Sequence, residues 1–414
     1  PTGAAFAKAG ANFNVTVTAV AWKTGDDADA NGVPNNAAQI SGNAATPNFG
    51  QEAAAATATI SHVLNAPGGG NPGTLTGGAF SSFVAGTRTQ AMSWSEVGII
   101  NLFALSSNYL GSGQNVTNPA AGLTGVGRFY PDHFFLAAGS AVTNRSGSTC
   151  TPASTFTYIG EDIGLAFTLQ ARNTAGVVTQ NYATASGFAK LNPATIAQLG
   201  LGAVNATTNL TSRLQPGTSA GTFIAGQAAV TATIKVDRAS PDTPDGPFAA
   251  AKLGIAAQEP AGGDGVTMRT ADFNMDVDGV GGNDRVQIGA NTQLRYGRLR
   301  LTNSIGSEKL ALPVPVEVQY WQGSGFVTNT LDSCTTLPRS SIVLDAYTGA
   351  LAPGGSCKTF VQQTPVAFAS GVGTITLAPP AGAVAGSVPL TPTLGILPSG
   401  RHCDSSASAD AVAT

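Results

Sequence analysis

The stretch GRFYPDHFFL, residues 127–136, is the densest group of titratable and aromatic side chains in a sequence of 414 residues. Arg128, Asp132 and His133 lie there side by side with phenylalanine and tyrosine. A histidine beside a carboxylate can serve as a general base or as a metal ligand. The sequence holds only 3 histidines, however, and it lacks the G-x-S-x-G motif of many hydrolases. We therefore predict a structural joint between two modules rather than a catalytic site.

A second polar concentration, DFNMDVDGVGGND at 272–284, has the spacing of a cation-binding loop. Its alternating oxygen-bearing side chains are Asp272, Asn274, Asp276 and Asp278. Ca²⁺ takes roughly six to eight oxygen ligands, often from such alternate positions. The glutamate that closes an EF-hand loop is missing, since position 285 is Arg. Two interpretations stay open, a calcium site and a strand whose aspartates all face solvent; calcium is the only cofactor that the sequence suggests.

The segment LRYGRLRLTNSIGSEKLALPVPVEVQYW, residues 294–321, is typical of a β-hairpin. Arg298 and Arg300 would share one face of its first strand, because side chains alternate along a strand. Such a basic ladder could bind an acidic glycan or a neighbouring subunit. Alternatively, it is a solvated face that discourages aggregation. Trp321 is a candidate for stacking on a sugar ring, although a strand tryptophan is more often a core residue.

Composition excludes several classes of function. Charged residues make up 10 % of the chain, against about 25 % in an average protein, and the formal net charge of −3 provides no basic surface for nucleic acid. No apolar run approaches the roughly 20 residues of a membrane span. The sequence starts at Pro1 without a signal peptide, so a processed or partial product is expected. We expect no enzymatic activity, because carboxylates are few and no catalytic motif is present.

The four cysteines predict disulfide bonds rather than a metal site. They are Cys150, Cys334, Cys357 and Cys403. None of them forms a CxxC pair, so zinc binding is not favoured. Cys334 and Cys357 flank a loop that contains Pro, Gly and Ser and are expected to pair, which leaves Cys150 for Cys403; free thiols are the alternative. Two disulfides would place the protein in an oxidising, extracytoplasmic compartment.

The elements that position these residues are predicted to be almost entirely β. Alternating strand patterns recur, for example at 13–22, 165–172 and 372–378, while 192–200 is the one clear helical candidate. Short words such as TPNF and TQNY repeat in the same order in the first and second parts of the chain. We predict tandem Ig-like β-sandwich modules with Pro/Gly-rich loops and at most one or two short helices. The expected domains are 1–125, 126–290 and 291–414.

Three long stretches resemble the MshQ-like proteins, accessory proteins encoded with mannose-sensitive haemagglutinin (MSHA) type IV pili of Gram-negative bacteria. They are VGRFYPDHF (126–134), FTYIGEDIGLAFTLQARNTAGVVTQNY (156–182) and LRYGRLRLTNSIGSEKLALPVPVEVQYWQGSGFVTNTLDSCT (294–335). The resemblance implies a β-rich protein of the cell surface or exterior, without assigned catalytic residues.

The function predicted from the sequence is therefore an extracellular structural or adhesive protein. Its partners would be subunits of a type IV pilus, or further copies of itself in a filament built by β-strand exchange or edge pairing. The segments 13–22 and 372–378 are candidates for exchanged strands. A carbohydrate-binding module of a surface adhesin, with a glycan as its ligand, is the alternative.

Overall fold

Segments in which apolar and polar residues alternate become β-strands in the structure. The strands predicted at 13–22, 165–172 and 372–378 correspond to Asn12–Thr18, Ile163–Arg172 and Val372–Leu377. The predicted all-β fold of tandem sandwich modules is confirmed. The computed structural model of the protein describes residues 3–23, 25–30, 35, 40–119, 121–240, 242–344, 346–352, 358–362, 365–392, 401–402 and 411–412.

The N-terminal module consists of two sheets. Its strands are β1 (Ala7–Lys8), β2 (Asn12–Thr18), β3 (Ala58–Ala66), β4 (Leu75–Thr76), β5 (Ala79–Phe80), β6 (Thr87–Trp94), β7 (Gly98–Ser106), β8 (Val116–Thr117) and β9 (Leu123–Tyr130). The larger sheet has the order β1-β9-β7-β3-β5 with β8 beside β7, and the smaller sheet has the order β2-β6-β4. Phe13, Phe80 and Trp94 are buried in its core.

The middle module repeats this plan, but the counterpart of the smaller sheet has five strands instead of three. Its strands are β10 (His133–Leu136), β11 (Ala141–Thr143), β12 (Phe156–Tyr158), β13 (Ile163–Arg172), β14 (Gly202–Asn205), β15 (Thr208–Asn209), β16 (Leu214–Ala220), β17 (Gln227–Val236), β18 (Phe248–Ile255), β19 (Val286–Gln287) and β20 (Thr292–Arg295). One sheet has the order β12-β20-β18-β14-β15 with β19 beside β18. The other has the order β10-β13-β17-β16 with β11 beside β13. The pairs β1–β9 and β12–β20 are both parallel.

The C-terminal module is assembled from smaller sheets. Its strands are β21 (Gly297–Leu301), β22 (Leu312–Trp321), β23 (Phe326–Thr328), β24 (Thr336–Leu337), β25 (Ile342–Leu344), β26 (Val366–Ala367), β27 (Val372–Leu377), β28 (Leu390–Pro392), β29 (Arg401–His402) and β30 (Ala411–Val412). The main sheet joins β21, β22 and β23, with β27 on β22. The pairs β24–β26, β25–β28 and β29–β30 form the remaining sheets. The chain thus passes from the N-terminal into the middle module between Tyr130 and His133, and from the middle into the C-terminal module between Arg295 and Gly297. Both positions lie a few residues beyond the predicted boundaries, which follow residues 125 and 290.

Each module contains the same two-residue hairpin turn. In all three turns the two flanking residues exchange both backbone hydrogen bonds, between Val84 and Thr87, Ile224 and Gln227, and Ala369 and Val372. Both central residues have a positive φ, as a type I′ turn requires; in the first turn φ is 51° at Ala85 and 73° at Gly86. A buried phenylalanine precedes every turn, namely Phe83, Phe223 and Phe368. The modules are therefore structural repeats.

Helical structure in the described residues is limited to short 3₁₀ turns. They are Ile40–Gly42, Tyr109–Gly111, Ile196–Leu199, Thr211–Arg213, Thr270–Asp272, Arg339–Ser341 and Gly349–Leu351. The predicted helix at 192–200 is one of these turns, which ends at Gly200 with φ 57°. These turns are more numerous than the one or two expected, because tight loops between strands often adopt 3₁₀ geometry. Within the described ranges, none is long or apolar enough to cross a membrane.

Candidate functional site: the buried junctions between modules

The stretch 127–136 joins two sandwiches. Strand β9 ends at Tyr130 in the sheet of the N-terminal module, and β10 starts at His133 in the sheet of the middle module. Only Pro131 and Asp132 lie between these strands. The chain therefore passes from one module into the next almost without a linker, as expected of a structural joint.

Asp132 connects the two modules electrostatically. Its carboxylate lies 3.0 Å from Lys8 Nζ of the N-terminal module and 2.6 Å from Arg269 Nη2 of the middle module. Burial raises the pKa of Asp132, but the hydrogen bonds from Arg269 and Lys8 outweigh burial and lower the pKa to about 2. The carboxylate is therefore ionised over the whole physiological range.

His133 supports this carboxylate. Its Nδ1 lies 3.0 Å from Asp132 Oδ2, and the side chain is buried. Burial and the charge of Arg269 lower the pKa of His133 below its usual value. The imidazole is thus neutral near pH 7 and can donate its Nδ1 proton to Asp132. This arrangement fixes the joint and gives His133 a positioning role.

A buried ion pair lies at the same junction. The guanidinium of Arg128 in β9 makes a two-pronged contact with the carboxylate of Asp264 in the middle module. The two side chains are only 8 % and 1 % exposed. Glu259 extends the network, because its carboxylate accepts hydrogen bonds from Asp264 N at 2.6 Å and from the hydroxyl of Tyr182 at 2.8 Å. Burial raises the pKa of Glu259.

Glu96 and Asn181 form a third link between the same modules. The buried Glu96 carboxylate accepts hydrogen bonds from the backbone N–H of Gln180 at 2.8 Å and of Asn181 at 3.2 Å. The side-chain amide of Asn181 donates to the carbonyls of Asn71 and Val97 at 2.8 and 2.9 Å. Burial raises the pKa of Glu96. These contacts attach the N-terminal module to the TQN turn of the middle module.

The junction between the middle and C-terminal modules is built around Arg145. Its Nη1 donates to Asp332 Oδ1 at 3.0 Å, and its Nη2 donates to Thr335 Oγ1 at 2.8 Å and Glu161 Oε1 at 3.1 Å. Arg145 is 3 % exposed, and Asp332 is fully buried. The hydroxyl of Tyr158 donates to the second carboxylate oxygen of Asp332 at 2.9 Å. Both modules therefore contribute charges to one largely buried network.

The protonation states of this network follow from opposing effects. Burial raises the pKa of Asp332, but hydrogen bonds from Thr335 and the charge of Arg145 lower it below its usual value. Burial lowers the pKa of Arg145, but the charges of Glu161 and Asp332 outweigh burial and raise the pKa above its usual value. The pair therefore stays ionised, and each charge depends on its partner inside the protein.

Asp332 replaces an aromatic core residue of the other modules. Three equivalent turns are closed by backbone hydrogen bonds from Phe49 to Thr46, from Tyr182 to Thr179, and from Asp332 to Asn329. In the first two modules this aromatic ring packs edge-on against the phenylalanine before the hairpin turn, with ring centroids 4.9 Å apart in both. In the C-terminal module, the same position carries a carboxylate that binds Arg145. Sequence reasoning missed this residue, although the series TPNF, TQNY, NTLD marks it.

A disulfide bond joins the same two modules and corrects the predicted pairing. Cys150 of the middle module is bonded to Cys334 of the C-terminal module, 184 residues away. The predicted pairs Cys334–Cys357 and Cys150–Cys403 are therefore wrong; Cys357 and Cys403 lie outside the described residues. The reason is spatial, since the contact of Arg145 with Asp332 brings the two cysteine loops together.

The predicted ligand-binding residues lie on one face of the C-terminal sheet, where Arg298 and Arg300 are exposed and Trp321 is half-buried against the core of the middle module. Arg298 pairs with Gln319, and Arg300 with Glu317, across β21 and β22. The guanidinium of Arg298 lies 3.7 Å from the ring centroid of Phe326, which also contacts Trp321 edge-on at 5.4 Å. The structure thus brings Trp321 and Arg298 together through Phe326. Glycan binding stays a prediction.

Side-chain oxygen atoms of the predicted calcium loop accept hydrogen bonds from nearby backbone N–H groups. Asp276 Oδ1 accepts from Gly279 N at 2.7 Å, Asp278 Oδ1 from Val280 N at 2.9 Å, and Asn274 Oδ1 from Gln287 N at 2.8 Å. Asp272 ends a 3₁₀ turn. In the described part of the chain, no three His, Cys, Asp or Glu side chains are grouped as metal ligands. Calcium binding stays a prediction.

One cavity lies in the C-terminal module. It has a volume of about 580 Å³ and lies between the 301–312 connection and the 384–390 segment. Its lining is largely aliphatic, with Leu301, Leu312 and Leu377 as examples, and Glu308 is its acidic residue. A general acid–base pair needs two positioned titratable groups, which this lining does not contain.

Comparison with known families gives consistent matches along the chain. The model of the second DUF6701 domain matches residues 1–93, the model of the third domain matches 96–284, and the model of the fourth domain matches 295–413. A comparison with curated proteins finds no match.

Proposed function

This chain belongs to the DUF6701 family, and on that premise we propose that it is an extracellular, non-enzymatic structural or adhesive protein of a bacterial surface. The observation that carries the proposal is the use of its ionisable groups. Arg128, Asp264, Arg145 and Asp332 are all placed at contacts between modules and are buried there. A protein with buried ion pairs at both of its junctions is suited to hold its modules in a fixed arrangement.

The disulfide supports an oxidising location. Cys150 and Cys334 link different modules, and such bonds persist outside the reducing cytoplasm. The resemblance to MshQ-like proteins narrows the proposal to the surface of Gram-negative bacteria and to partners in an MSHA type IV pilus or a related filament.

Labelling of intact cells tests this proposal. Antibodies raised against the chain should place immunogold on the surface or on pili of the bacterium that produces it. Labelling that needs permeabilised cells would contradict the proposal. Electron microscopy of the purified chain then distinguishes its two variants: single particles support an accessory adhesin, and ordered fibres support a filament subunit.

A carbohydrate-binding module is the second candidate. The Trp321–Phe326–Arg298 group favours it, with an exposed Arg298 beside two half-buried aromatic rings, since aromatic faces and guanidinium groups recognise acidic sugars. Binding on a glycan array should disappear in Trp321→Ala. Trp22→Ala is the matched control, because Trp22 is 44 % exposed in another module. Equal binding by both variants and the parent protein would remove Trp321 from the site.

A further inference from the structure

One strand occupies the same place in all three modules. The hydrogen bond from Ala19 N to the carbonyl of Gly86 in the first hairpin turn, 2.9 Å long, has counterparts from Ala171 N to Gly226 and from Val318 N to Gly371, both 2.8 Å long. These bonds align β2 with β13 and β22, residue by residue. Val17 then corresponds to Leu169 and Val316.

In two of the modules, the outer edge of this strand is covered. In the middle module β10 and β11 both pair with β13, and in the C-terminal module β21 pairs with β22. The covering strand continues directly from the last strand of the preceding module. Pro131 and Asp132 separate β9 from β10, and Tyr296 alone separates β20 from β21.

The equivalent edge of β2 has no such cover among the described residues. Its sheet has the order β2-β6-β4, so that β2 is the edge strand. Val15 and Val17 are consequently half-buried. Their counterparts are buried: Phe167 is 5 % and Leu169 0 % exposed, and Val314 is 4 % and Val316 0 % exposed.

The edge of β2 also lacks the features that keep sheet edges apart. Its sequence NFNVTVT carries no charge and no proline, and it pairs with β6 in an unbroken register. Natural edge strands are usually short, charged, kinked or interrupted by proline. The edge strand β16 of the middle module follows that rule, with Pro216 and a register shift. A hollow of about 100 Å³ beside β2, lined by Val17, Phe49 and Ala58 among others, leaves the core accessible.

We propose that β2 is an acceptor edge for a strand that runs on from the last strand of another sandwich module of the DUF6701 type. In the middle module, Leu136 lies opposite Leu169 and Phe134 opposite Ala171. The incoming strand therefore presents apolar side chains opposite Val17 and Ala19, antiparallel to β2. This inference rests on the proposed scaffold function and names the partner of its N-terminal module.

A run-on strand is favoured over a second copy of β2 by the position of the covered edge. In both observed cases the strand that continues from the preceding module covers the part nearest the next turn: β10 covers Leu169–Arg172, and β21 covers 316–320, while β11, which follows β10, covers 164–166. In β2 this part starts at Val17. Two β2 strands paired about a twofold axis would instead be centred on Val15.

The probe for this edge is a synthetic peptide with the sequence of residues 130–143, YPDHFFLAAGSAVT, which includes both strands that cover β13. Calorimetric titration into the 414-residue chain should show saturable binding at one site. A peptide with aspartate in place of Phe134 and Leu136 should not bind.

Two proline variants locate the binding site. Thr18→Pro removes an outward N–H in the covered part and should weaken binding at least tenfold. Thr16→Pro is the matched control, because the equivalent residue of the C-terminal module is Pro315, whose carbonyl accepts from Thr302 N at 3.0 Å while β21 is docked. Thermal melting establishes that both variants fold. If Thr18→Pro misfolds, protection of the Thr18 amide from hydrogen exchange on peptide binding is the deciding measurement.

The proposal is overturned if the peptide does not bind, or if Thr18→Pro and Thr16→Pro bind it as the parent chain does. Concentration-dependent dimerisation that Thr18→Pro abolishes would assign the edge to a second copy instead. None of these results bears on immunogold labelling of cells, so failure of this inference and failure of the proposed function are distinguishable.

Discussion

Replacing Asp332 by asparagine should destabilise the junction of the middle and C-terminal modules. The substitution keeps the size of the side chain but removes its charge. It leaves the guanidinium of Arg145, 3 % exposed, with Glu161 as its remaining acidic contact. Because a buried charge without its full compensation is costly, the whole network around Tyr158 and Thr335 should weaken.

The expected cost is about 3 kcal/mol. Removing one partner of a buried ion pair typically costs about 3–5 kcal/mol, and the lower end applies because asparagine can still accept one hydrogen bond from Arg145. For a unit of roughly 150–250 residues, each kcal/mol lowers Tm by about 2–4 °C. The melting temperature of the C-terminal and middle modules should therefore fall by about 6–12 °C.

Differential scanning calorimetry measures this effect, and the chain offers a matched control. Asp162 faces Lys235 at 3.8 Å on the surface, where their side chains are 39 % and 47 % exposed. An exposed pair of this kind contributes at most about 1 kcal/mol, so Asp162→Asn should change Tm by no more than about 4 °C. Equal shifts in Asp332→Asn and Asp162→Asn would refute the argument that the junction depends on buried charge.

Three further changes should follow from the same structure. Replacing Cys150 and Cys334 together by serine should lower the unfolding free energy by up to about 5 kcal/mol in denaturant titrations, since the bond closes a loop of 184 residues and loop closure scales with length; an unchanged midpoint would contradict this pairing. Acidification should destabilise the first junction in two steps. The lowered pKa of His133 favours its neutral form in the fold, so its contribution is complete above its ordinary pKa of 6.5 and decreases below it, a loss that His133→Gln should abolish. The Asp132 contribution, about 2 kcal/mol, is present above its ordinary pKa of 3.8 and is lost as the pH falls towards 2; urea titrations between pH 7 and 2 check both steps. Gly226→Val should lower Tm because φ there is 76° and a Cβ would press on the carbonyl of Thr179.

Strand positions could be predicted from sequence because they depend on local patterning. The alternation in FNVTVT and in LAFTLQAR marks which face of each strand is apolar, and the structure places these faces in the cores. The joint at 127–136 was predictable for a related reason. A proline and an aspartate between two apolar runs signal an interruption of one strand rather than a cleft.

The junction networks could not be predicted, because their partners are distant in sequence. Arg145 and Asp332 are separated by 187 residues, and Arg128 and Asp264 by 136. The cysteine pairing was predicted wrongly for the same reason, because proximity in the chain favoured Cys334–Cys357 over the distant partner Cys150. A usable signal existed in the repeat: once TPNF, TQNY and NTLD are aligned, Asp332 is a carboxylate at a core aromatic position.

Hydrogen exchange at the junctions tests most directly whether the modules form one fixed scaffold. Across the junction of the N-terminal and middle modules, the backbone amides of Thr174, Gln180 and Asn181 donate to Ala9 O and to the Glu96 carboxylate at 2.8–3.2 Å. If this junction is as stable as the cores, these amides should exchange as slowly as those in the centres of β13 and β22. Exchange within seconds at all three, with protected cores, would show independently moving modules and would contradict the scaffold account.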